Sequence, residues 1–348
     1  MNILDKLLPD KFENNIGFTG LTDELFSVYI NKVFLTEKEN ILVVTSTLFE
    51  ANKIYDSLSN YQNNVFLFPM DDFLSSEAIS LSPDLMVSRL ETLNNSISGT
   101  KSIYITHLMG YLRYLPPVDI YKKSIINLKV GDQKDPRLLE KELFNIGYNK
   151  ETMVTKTGEF GTRGFIVDVF PLNFDYPVRI EFFDDEIEAI RFFDDETQKS
   201  IEKTDIIEIY PYTEFIVKER DFENKKNKHL PEIYSKLNSL YDYLENPITF
   251  FKDYNQINNS YETLLNSEKD KKFQGSYMHR FSDIIPKKVN HYFTIDNYIS
   301  KDKDIILKNY NSRKLPFFNE DIAAIKKYIE DNLKLHKTIV LYLTKTQI

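Results

Sequence analysis

The stretch "RIEFFDDEIEAIRFFDDE", residues 179–196, contains nearly the same motif twice, with ten residues between corresponding positions. Side chains along a β-strand alternate between its two faces, so each copy can be divided into two faces by counting. The mixed face of the first copy carries Arg179, Glu181 and Phe183. The other face is wholly apolar and consists of Val178, Ile180 and Phe182. The motif therefore predicts a strand with one buried face and one partly exposed face.

The second copy of the motif predicts a neighbouring strand of the same kind. Counting places Ile190 and Phe192 on its buried face and Arg191 and Phe193 on the opposite face. An exposed phenylalanine beside an arginine is typical of a protein–protein interface. The alternative is that Phe183 is covered by its own domain or is simply a single exposed aromatic side chain.

The carboxylates of the doubled motif have a simpler interpretation than a metal site. Residues 184–186 and 194–195 each follow a strand directly, and aspartate is favoured in turns because its side chain bonds nearby backbone N–H groups. Two turns at opposite ends of one strand cannot bring ligands within the ~2.0–2.6 Å that Ca²⁺ or Mg²⁺ requires. Asp168, in "VDVFP", is predicted to need a buried hydrogen-bond partner. The sequence predicts neither a metal site nor a catalytic residue.

Composition excludes several classes of protein. The 348 residues include no cysteine, so disulfides, thiolate metal sites and thiol nucleophiles are excluded. The net charge of −9 and the lack of a basic stripe argue against a nucleic-acid-binding surface. Short basic runs at 223–229 and 269–273 are interpreted as solvated loops. With neither a signal pattern nor an apolar run of ~18–20 residues, the sequence predicts a cytoplasmic protein without a membrane span.

The organisation of the chain changes twice along its length. Residues 1–115 alternate strands and helices, which predicts an α/β domain with a parallel sheet covered on both faces. Residues 116–215 contain short strands punctuated by Gly, Pro and Asp, which predicts a mostly antiparallel α+β domain. Residues 216–348 return to helices and isolated strands. The last predicted strand, 338–344, has no closing helix after it, so we expect this domain to be incomplete at its C-terminal edge.

Three predicted elements outside the doubled motif are specific enough to test. Residues 151–156 have the pattern of a strand, and residues 229–244 have apolar side chains at helical spacing. A further helix is predicted at 319–333, with Asn319 as its N-cap.

The segment "GFTGLTDE", residues 17–24, lies where an α/β nucleotide-binding domain has its phosphate loop. Such a loop needs two glycines for backbone contact with phosphate, then a lysine and a hydroxyl residue. Gly17 fits the first position, and Gly20 lies within the loop. Thr22, Asp23 and Glu24 stand at the positions of the second glycine, the lysine and the hydroxyl residue. Two carboxylates would repel phosphate, so no ATP binding is predicted.

The sequence resembles the transcription-repair coupling factor (Mfd) family in its N-terminal, UvrB-like module. The resemblance rests on "GFTGLTDE", on "LFPMDDFLSSEAISLSPDLMVSRLETL" at 67–93 and, most specifically, on residues 160–201. That last stretch contains Thr-Arg-Gly, Asp-x-Phe-Pro, Pro-x-Arg-x-(Glu/Asp)-Phe-Phe and Phe-Asp-x-x-(Thr/Ser)-Gln. The resemblance is good from residue 16 to residue 215 and weak beyond.

The resemblance implies a fold and a function. Residues 1–115 and 216–348 would form one RecA-like domain with a degenerate phosphate loop, interrupted by a UvrA-binding α+β domain at 116–215. The family's contacts to UvrA correspond to Arg163, Arg179 and Phe183. The implied function is transcription-coupled nucleotide excision repair, in which this non-catalytic module recruits UvrA to RNA polymerase stalled at DNA damage.

Other partners and cofactors of the family are implied only for domains outside these 348 residues. RNA polymerase and DNA would be bound there, and ATP and Mg²⁺ would be used by a translocase motor that this chain lacks. No cofactor is therefore expected here. The alternative function is that of a UvrB-type, ATP-dependent DNA damage-verification protein, which would need a phosphate loop that retains its lysine and threonine.

Overall fold

A computed structural model describes most of the chain. The described residues are 16–70, 83–216, 230–267, 278–284, 290–294, 306–316, 318–319, 321–337 and 339. The strands are β1 (Ile16–Thr19), β2 (Ile41–Thr45), β3 (Val65–Phe68), β4 (Ile103–His107), β5 (Ile126–Lys129), β6 (Asn149–Lys150), β7 (Glu159–Arg163), β8 (Ile166–Val169), β9 (Val178–Phe183), β10 (Glu186–Phe193), β11 (Ser200–Thr204), β12 (Ile206–Ile209), β13 (Ile248–Lys252), β14 (Asn290–Thr294) and β15 (Ile306–Asn309). The α-helices are α1 (Asp23–Thr36), α2 (Leu48–Ser59), α3 (Pro83–Ile97), α4 (Leu108–Leu112), α5 (Val118–Lys123), α6 (Pro136–Asn145), α7 (Leu230–Ile233), α8 (Leu240–Tyr243), α9 (Tyr254–Ser267) and α10 (Ile322–Lys334).

The largest sheet is parallel and is built from two separate parts of the chain. Its seven strands lie in the order β15-β1-β14-β13-β2-β4-β3, and every neighbouring pair is parallel. The central strands β2 and β4 are buried along their whole length, as a parallel sheet covered on both faces requires. The predicted α/β class is confirmed. The RecA-like assignment and the domain boundaries at 115 and 215 stay predictions.

Apolar side chains on both faces of this sheet form two cores. In β2, Ile41 and Val43 contribute to one core, whereas Leu42 and Val44 contribute to the other. Helices α1 and α2 cover the first face, and α4, α8 and α9 cover the second. Burying both faces of a continuous apolar strand drives the formation of this layered arrangement.

The second sheet has six strands in the order β11-β10-β9-β8-β7-β6. All of its pairs are antiparallel except the short pair β6–β7. Helix α6 covers one face through Leu139 and Leu143, which share a core with Val167, Val178 and Ile180. A separate two-stranded antiparallel sheet pairs β5 with β12. The mostly antiparallel α+β arrangement predicted between residues 116 and 215 is confirmed.

A buried ion cluster ties the end of the second unit to the first. Glu214 Oε1 accepts a hydrogen bond from Arg89 Nε at 2.7 Å, and its Oε2 accepts from Arg113 Nη2. Burial on its own raises the pKa of Glu214, but the two guanidinium groups outweigh burial and hold the pKa below its usual value. Removing either arginine would leave buried charge without a full set of partners.

The strand predicted at 151–156 is wrong. Val154 is buried against Phe170 and Phe193, but residues 151–156 form no strand, although the Glu151 N–H donates to the Phe160 carbonyl of β7 at 2.8 Å. Instead, the N–H groups of Thr155 and Lys156 both donate to the Glu159 carboxylate at 2.9 Å. The sheet strands on either side of this segment are β6, which ends at Lys150, and β7, which begins at Glu159.

Two helix predictions are also wrong in detail. Residues 229–244 do not form one helix, because Asn238 pairs through its backbone with Leu115, and Ser239 and Asp242 form a capping box that starts α8. Helix α10 begins at Ile322 rather than at 320. Its N-cap is Asp321, whose carboxylate accepts hydrogen bonds from the N–H groups of Ala323 and Ala324, and not Asn319.

Some sequence predictions concern residues outside the described ranges. They include the strand at 338–344, both short basic runs and much of the segment 67–93. In the part of the chain that the structure describes, no helix is both long and apolar enough to cross a membrane.

Candidate partner-binding site

The doubled motif forms an antiparallel hairpin, β9–β10, at the middle of the six-stranded sheet. Val178 pairs with Phe192, and Ile180 pairs with Ile190. Val178, Ile180, Phe182 and Ile190 are buried, and Phe192 is partly buried against the same core. The predicted division of the two strands into faces is confirmed.

The aspartates of the motif lie in the loops that follow β9 and β10, as predicted, whereas Glu186 is the first residue of β10. Asp184 adopts a left-handed conformation, with a φ of 56°, in the two-residue loop between the strands. Asp194 accepts hydrogen bonds at 2.7 Å from both the N–H and the hydroxyl of Thr197, and these bonds lower the pKa of Asp194. Among the described residues, no group of His, Asp and Glu side chains is arranged to hold a metal ion.

The face of the sheet opposite α6, which we term the docking face, brings together the three residues predicted to bind the partner. Arg163 in β7 pairs with Ile166 in β8, and Ile166 pairs with Glu181 in β9. Directly opposed residues share a face, so Arg163 lies on the same face as Glu181 and its i±2 neighbours Arg179 and Phe183. With strands ~4.8 Å apart, the backbones of Arg163 and Glu181 are about 10 Å apart. Their role in binding stays a prediction.

Phe183 is the most exposed aromatic side chain of the hairpin. Its exposed fraction is 76%, although the adjacent Phe182 is buried in the core. The alternative that Phe183 is covered by its own domain is therefore wrong for the described part of the chain. Burying this exposed apolar ring against a partner removes it from water and so stabilises the complex.

Arg179 is held in place by three neighbours. Its Nε and Nη2 donate to the two carboxylate oxygens of Asp168 at 2.7 and 2.8 Å, so the pair is bidentate. Its guanidinium lies 4.5 Å from the ring centre of Phe193, and Nη2 is also 3.4 Å from Gln198 Oε1. The hydrogen bonds to Asp168 raise the pKa of Arg179.

Two features of this cluster were not predicted from the sequence: which residue pairs with Asp168, and the burial of Phe193. Asp168 was predicted to need a buried partner, and that partner is Arg179, which is directly opposite Asp168 in the β8–β9 register. Phe193 lies on the docking face, as predicted, but it is fully buried with Val154 and Phe170 under the Arg179 guanidinium. The matching parity of Asp168 and Arg179 in adjacent strands was the signal that could have found the pair.

Arg163 differs from Arg179 in its surroundings. Its side chain is exposed, and its Nη2 donates to the backbone carbonyl of Thr152 at 2.7 Å. The next residue, Gly164, has a φ of 61° and allows the chain to turn into β8. The positive charge of Arg163 is thus presented to solvent without a carboxylate among its described contacts.

The loop between β1 and α1 is closed by the chain itself. Ser312 accepts a hydrogen bond from the Thr22 N–H at 3.0 Å and bonds to the Gly20 carbonyl through both its hydroxyl and its N–H. The Thr22 hydroxyl accepts from the N–H of Leu25 and caps the helix. The Thr22 N–H, which would face a phosphate in a nucleotide-binding loop, is therefore bonded within the protein.

A carboxylate stands where a phosphate-binding lysine would be. Asp23 forms ion pairs with Lys252, at 2.7 Å, and with Lys53, while Lys314 lies 3.9 Å away. Burial on its own raises the pKa of Asp23, but the hydrogen bonds from Lys252 and Lys53 outweigh it and lower the pKa to about 2. The ammonium groups of Lys252 and Lys53 beside the loop are therefore already paired.

The unit that carries the docking face matches a known class of domain. Residues 126–215 match the family described as the UvrB interaction domain. This range contains Arg163, Arg179, Phe183 and Asp168, and it ends one residue after Glu214.

The wider chain is similar to transcription-repair-coupling factors, which confirms the resemblance inferred from the motifs. The relative from Staphylococcus epidermidis is 35% identical over 218 residues, which cover 62% of this chain and 19% of the relative. The Bacillus subtilis relative is 35% identical over 201 residues, covering 57% and 17%. The Staphylococcus haemolyticus relative is 33% identical over 213 residues, covering 60% and 18%. The chain thus matches about a fifth of the length of these relatives.

Proposed function

We propose that this chain is a non-catalytic module of transcription-coupled nucleotide excision repair, working in the cytoplasm. Its docking face binds UvrA through Arg163, Arg179 and Phe183. UvrA is thereby recruited to RNA polymerase stalled at DNA damage, with the polymerase and DNA bound by other parts of a coupling factor.

The observation that supports this proposal most directly is the exposed Phe183 on the docking face of a UvrB interaction domain. An exposed ring flanked by arginines has the composition of a binding hot spot. The similarity to coupling factors, rather than any catalytic group, supplies the link to repair.

The same proposal holds that the RecA-like unit of this chain binds no ATP. The Thr22 N–H of its loop donates to Ser312, and Lys252 and Lys53 are paired with Asp23. An added triphosphate would have to displace both sets of contacts and approach two carboxylates. Calorimetric titration with Mg²⁺–ATP should therefore give no saturable heat, and saturable binding abolished by changes in residues 17–24 would favour the UvrB-type alternative.

The UvrA proposal can be tested by titrating purified UvrA with the 348-residue chain. Phe183→Ala should weaken binding by about 1–4 kcal/mol if this ring is a hot spot. Phe49→Ala is the matched control, because Phe49 is 78% exposed but lies on α2 in the other unit. It should leave the affinity unchanged.

Arg163→Ala provides a second, independent arm of the same titration. It should weaken binding, whereas Arg137→Ala should not, because Arg137 is an exposed arginine on α6, which covers the opposite face of the sheet. The proposal is wrong if the wild-type chain does not bind UvrA, or if Phe183→Ala and Arg163→Ala bind as tightly as their controls.

A further inference from the structure

Three arginines lie on the docking face, and they differ in whether a neighbouring carboxylate neutralises their charge. Arg191 is paired with Glu181, and Arg179 is paired with Asp168. Arg163 contacts the neutral carbonyl of Thr152 and no described carboxylate. The face therefore presents one uncompensated arginine and two compensated ones.

The Asp168–Arg179 pair is rigid as well as neutral. Asp168 is 4% exposed and Phe193 is fully buried, so the groups that hold the guanidinium cannot move freely. The Nε and Nη2 groups of Arg179 already donate hydrogen bonds, and none of the described residues accepts one from Nη1. A side chain that is already fixed loses little rotamer freedom when a partner binds.

We infer that Asp168 is a positioning residue for docking, and that the two predicted contact arginines recognise different groups on the partner. Arg163 meets a carboxylate. Arg179, neutralised and held against Phe193 by Asp168, offers its free Nη1 edge to a neutral acceptor such as a backbone carbonyl. This inference rests on the proposed UvrA-binding function of the docking face.

The two kinds of arginine affect different steps of binding. An uncompensated surface charge attracts an oppositely charged partner over a distance, so it raises the association rate and makes that rate depend on salt. A compensated arginine acts only at contact, where its hydrogen bond and packing slow dissociation. Arg163 should therefore control the association rate, and the Asp168–Arg179 pair the dissociation rate.

Association and dissociation rates of UvrA with the 348-residue chain, measured at about 50 and about 200 mM salt, test this division. Arg163→Gln should lower the association rate about tenfold at low salt and weaken its salt dependence. The double variant Asp168→Asn/Arg179→Gln has unchanged net charge. It should keep the association rate within about twofold and raise the dissociation rate about tenfold. Arg137→Gln, on the helix behind the sheet, controls for net charge.

Asp168→Asn alone separates a positioning role from a merely structural one. Neutralising Asp168 unmasks the charge of Arg179, so the salt dependence of association should become steeper while dissociation becomes faster. Loss of stability alone would not steepen the salt dependence. Equal salt dependence in Asp168→Asn and the wild type, or equal rate changes in Arg163→Gln and the double variant, would overturn the inference.

A measurement without UvrA distinguishes failure of this inference from failure of the proposed function. In NMR spectra of the free chain, the Nε–H of Arg179 should exchange slowly with water, and that of Arg163 quickly. Asp168→Asn should remove the protection of Arg179. If the Nε–H of wild-type Arg179 exchanges as fast as that of Arg163, the positioning role is wrong whether or not UvrA binds. If protection is present but UvrA does not bind, the proposed function fails instead.

Discussion

The loop after β1 and the docking face of the six-stranded sheet both place carboxylates beside cations, but they do so with opposite results. In the loop, Asp23 pairs with Lys252 and Lys53, and Ser312 bonds to the backbone of the turn. On the docking face, Asp168 pairs with Arg179 but leaves Arg163 and the ring of Phe183 facing solvent. The loop is thus closed by contacts within the protein, whereas the docking face keeps a charged group and an apolar ring available to a partner.

The difference shows why the position of a site in a fold does not establish its activity. The end of β1 in a parallel sheet is a common place for a phosphate, yet here a carboxylate takes the counter-ions that a phosphate would need. The unmatched groups of the docking face, in contrast, are those that a protein partner can bury.

The largest expected effect concerns the Asp168–Arg179 pair on the docking face. Arg179→Ala would leave the buried carboxylate of Asp168 without its partner, so we expect a loss of about 3–5 kcal/mol of stability, measured by urea unfolding. The double variant Asp168→Asn/Arg179→Ala should recover much of that loss because it removes the buried charge. Equal stabilities of the single and double variants would contradict this account. Loss of UvrA binding in Arg179→Ala alone would therefore not show a direct contact.

The two copies of the doubled motif offer the next comparison. Phe193→Ala removes a fully buried ring packed on Val154 and Phe170, and should cost about 3–4 kcal/mol. Phe183→Ala removes an exposed ring and should change stability by less than about 0.5 kcal/mol. Thermal unfolding of both variants gives the contrast. A large loss of stability for Phe183→Ala would mean that its ring packs within the protein and is not available to a partner.

Gly20 in the loop and Gly164 beside the docking face both have left-handed backbones. Substituting each with alanine therefore measures how crowded its site is. A Cβ on Gly20 would lie 2.8 Å from Asn309 Oδ1 and 2.9 Å from the backbone nitrogen of Asn311, whereas a Cβ on Gly164 would meet nothing within 4 Å. Gly164→Ala should cost only the conformational penalty, about 1 kcal/mol, while Gly20→Ala should cost about 3 kcal/mol because atoms must also move. Similar losses in urea unfolding would indicate that the loop is not tightly closed.

The sequence predicted the docking face better than it predicted its surroundings. Alternation within residues 178–183 and within residues 190–193 determined which side chains face the core, because a one-residue shift would expose the apolar set. Val154, in contrast, is a single buried residue in an irregular segment. The pattern of residues 151–156 predicted a strand that does not form. The helix predicted at 229–244 was broken by the pairing of Asn238 with Leu115, which is 123 residues earlier in the chain. Local periodicity carries no information about such distant contacts.

The closed loop of the first site also predicts a dependence on pH. The pKa of Asp23 is lowered from 3.8 to about 2, so its ion pairs stabilise the folded chain above about pH 4, and this stabilisation is lost as the pH falls toward 2. Asp23→Asn should therefore lower stability at pH 7 by about 1 kcal/mol, after allowance for solvent screening, and the difference from the wild type should shrink toward zero near pH 2. Asp56→Asn, an exposed aspartate on α2, is the control and should show little difference at any pH. A difference between wild type and Asp23→Asn that stays constant from pH 5 to pH 2 would mean that Lys252 and Lys53 do not hold the carboxylate ionised. The lysines would then remain available to an anionic ligand, and the contrast between the closed loop and the open docking face would fail.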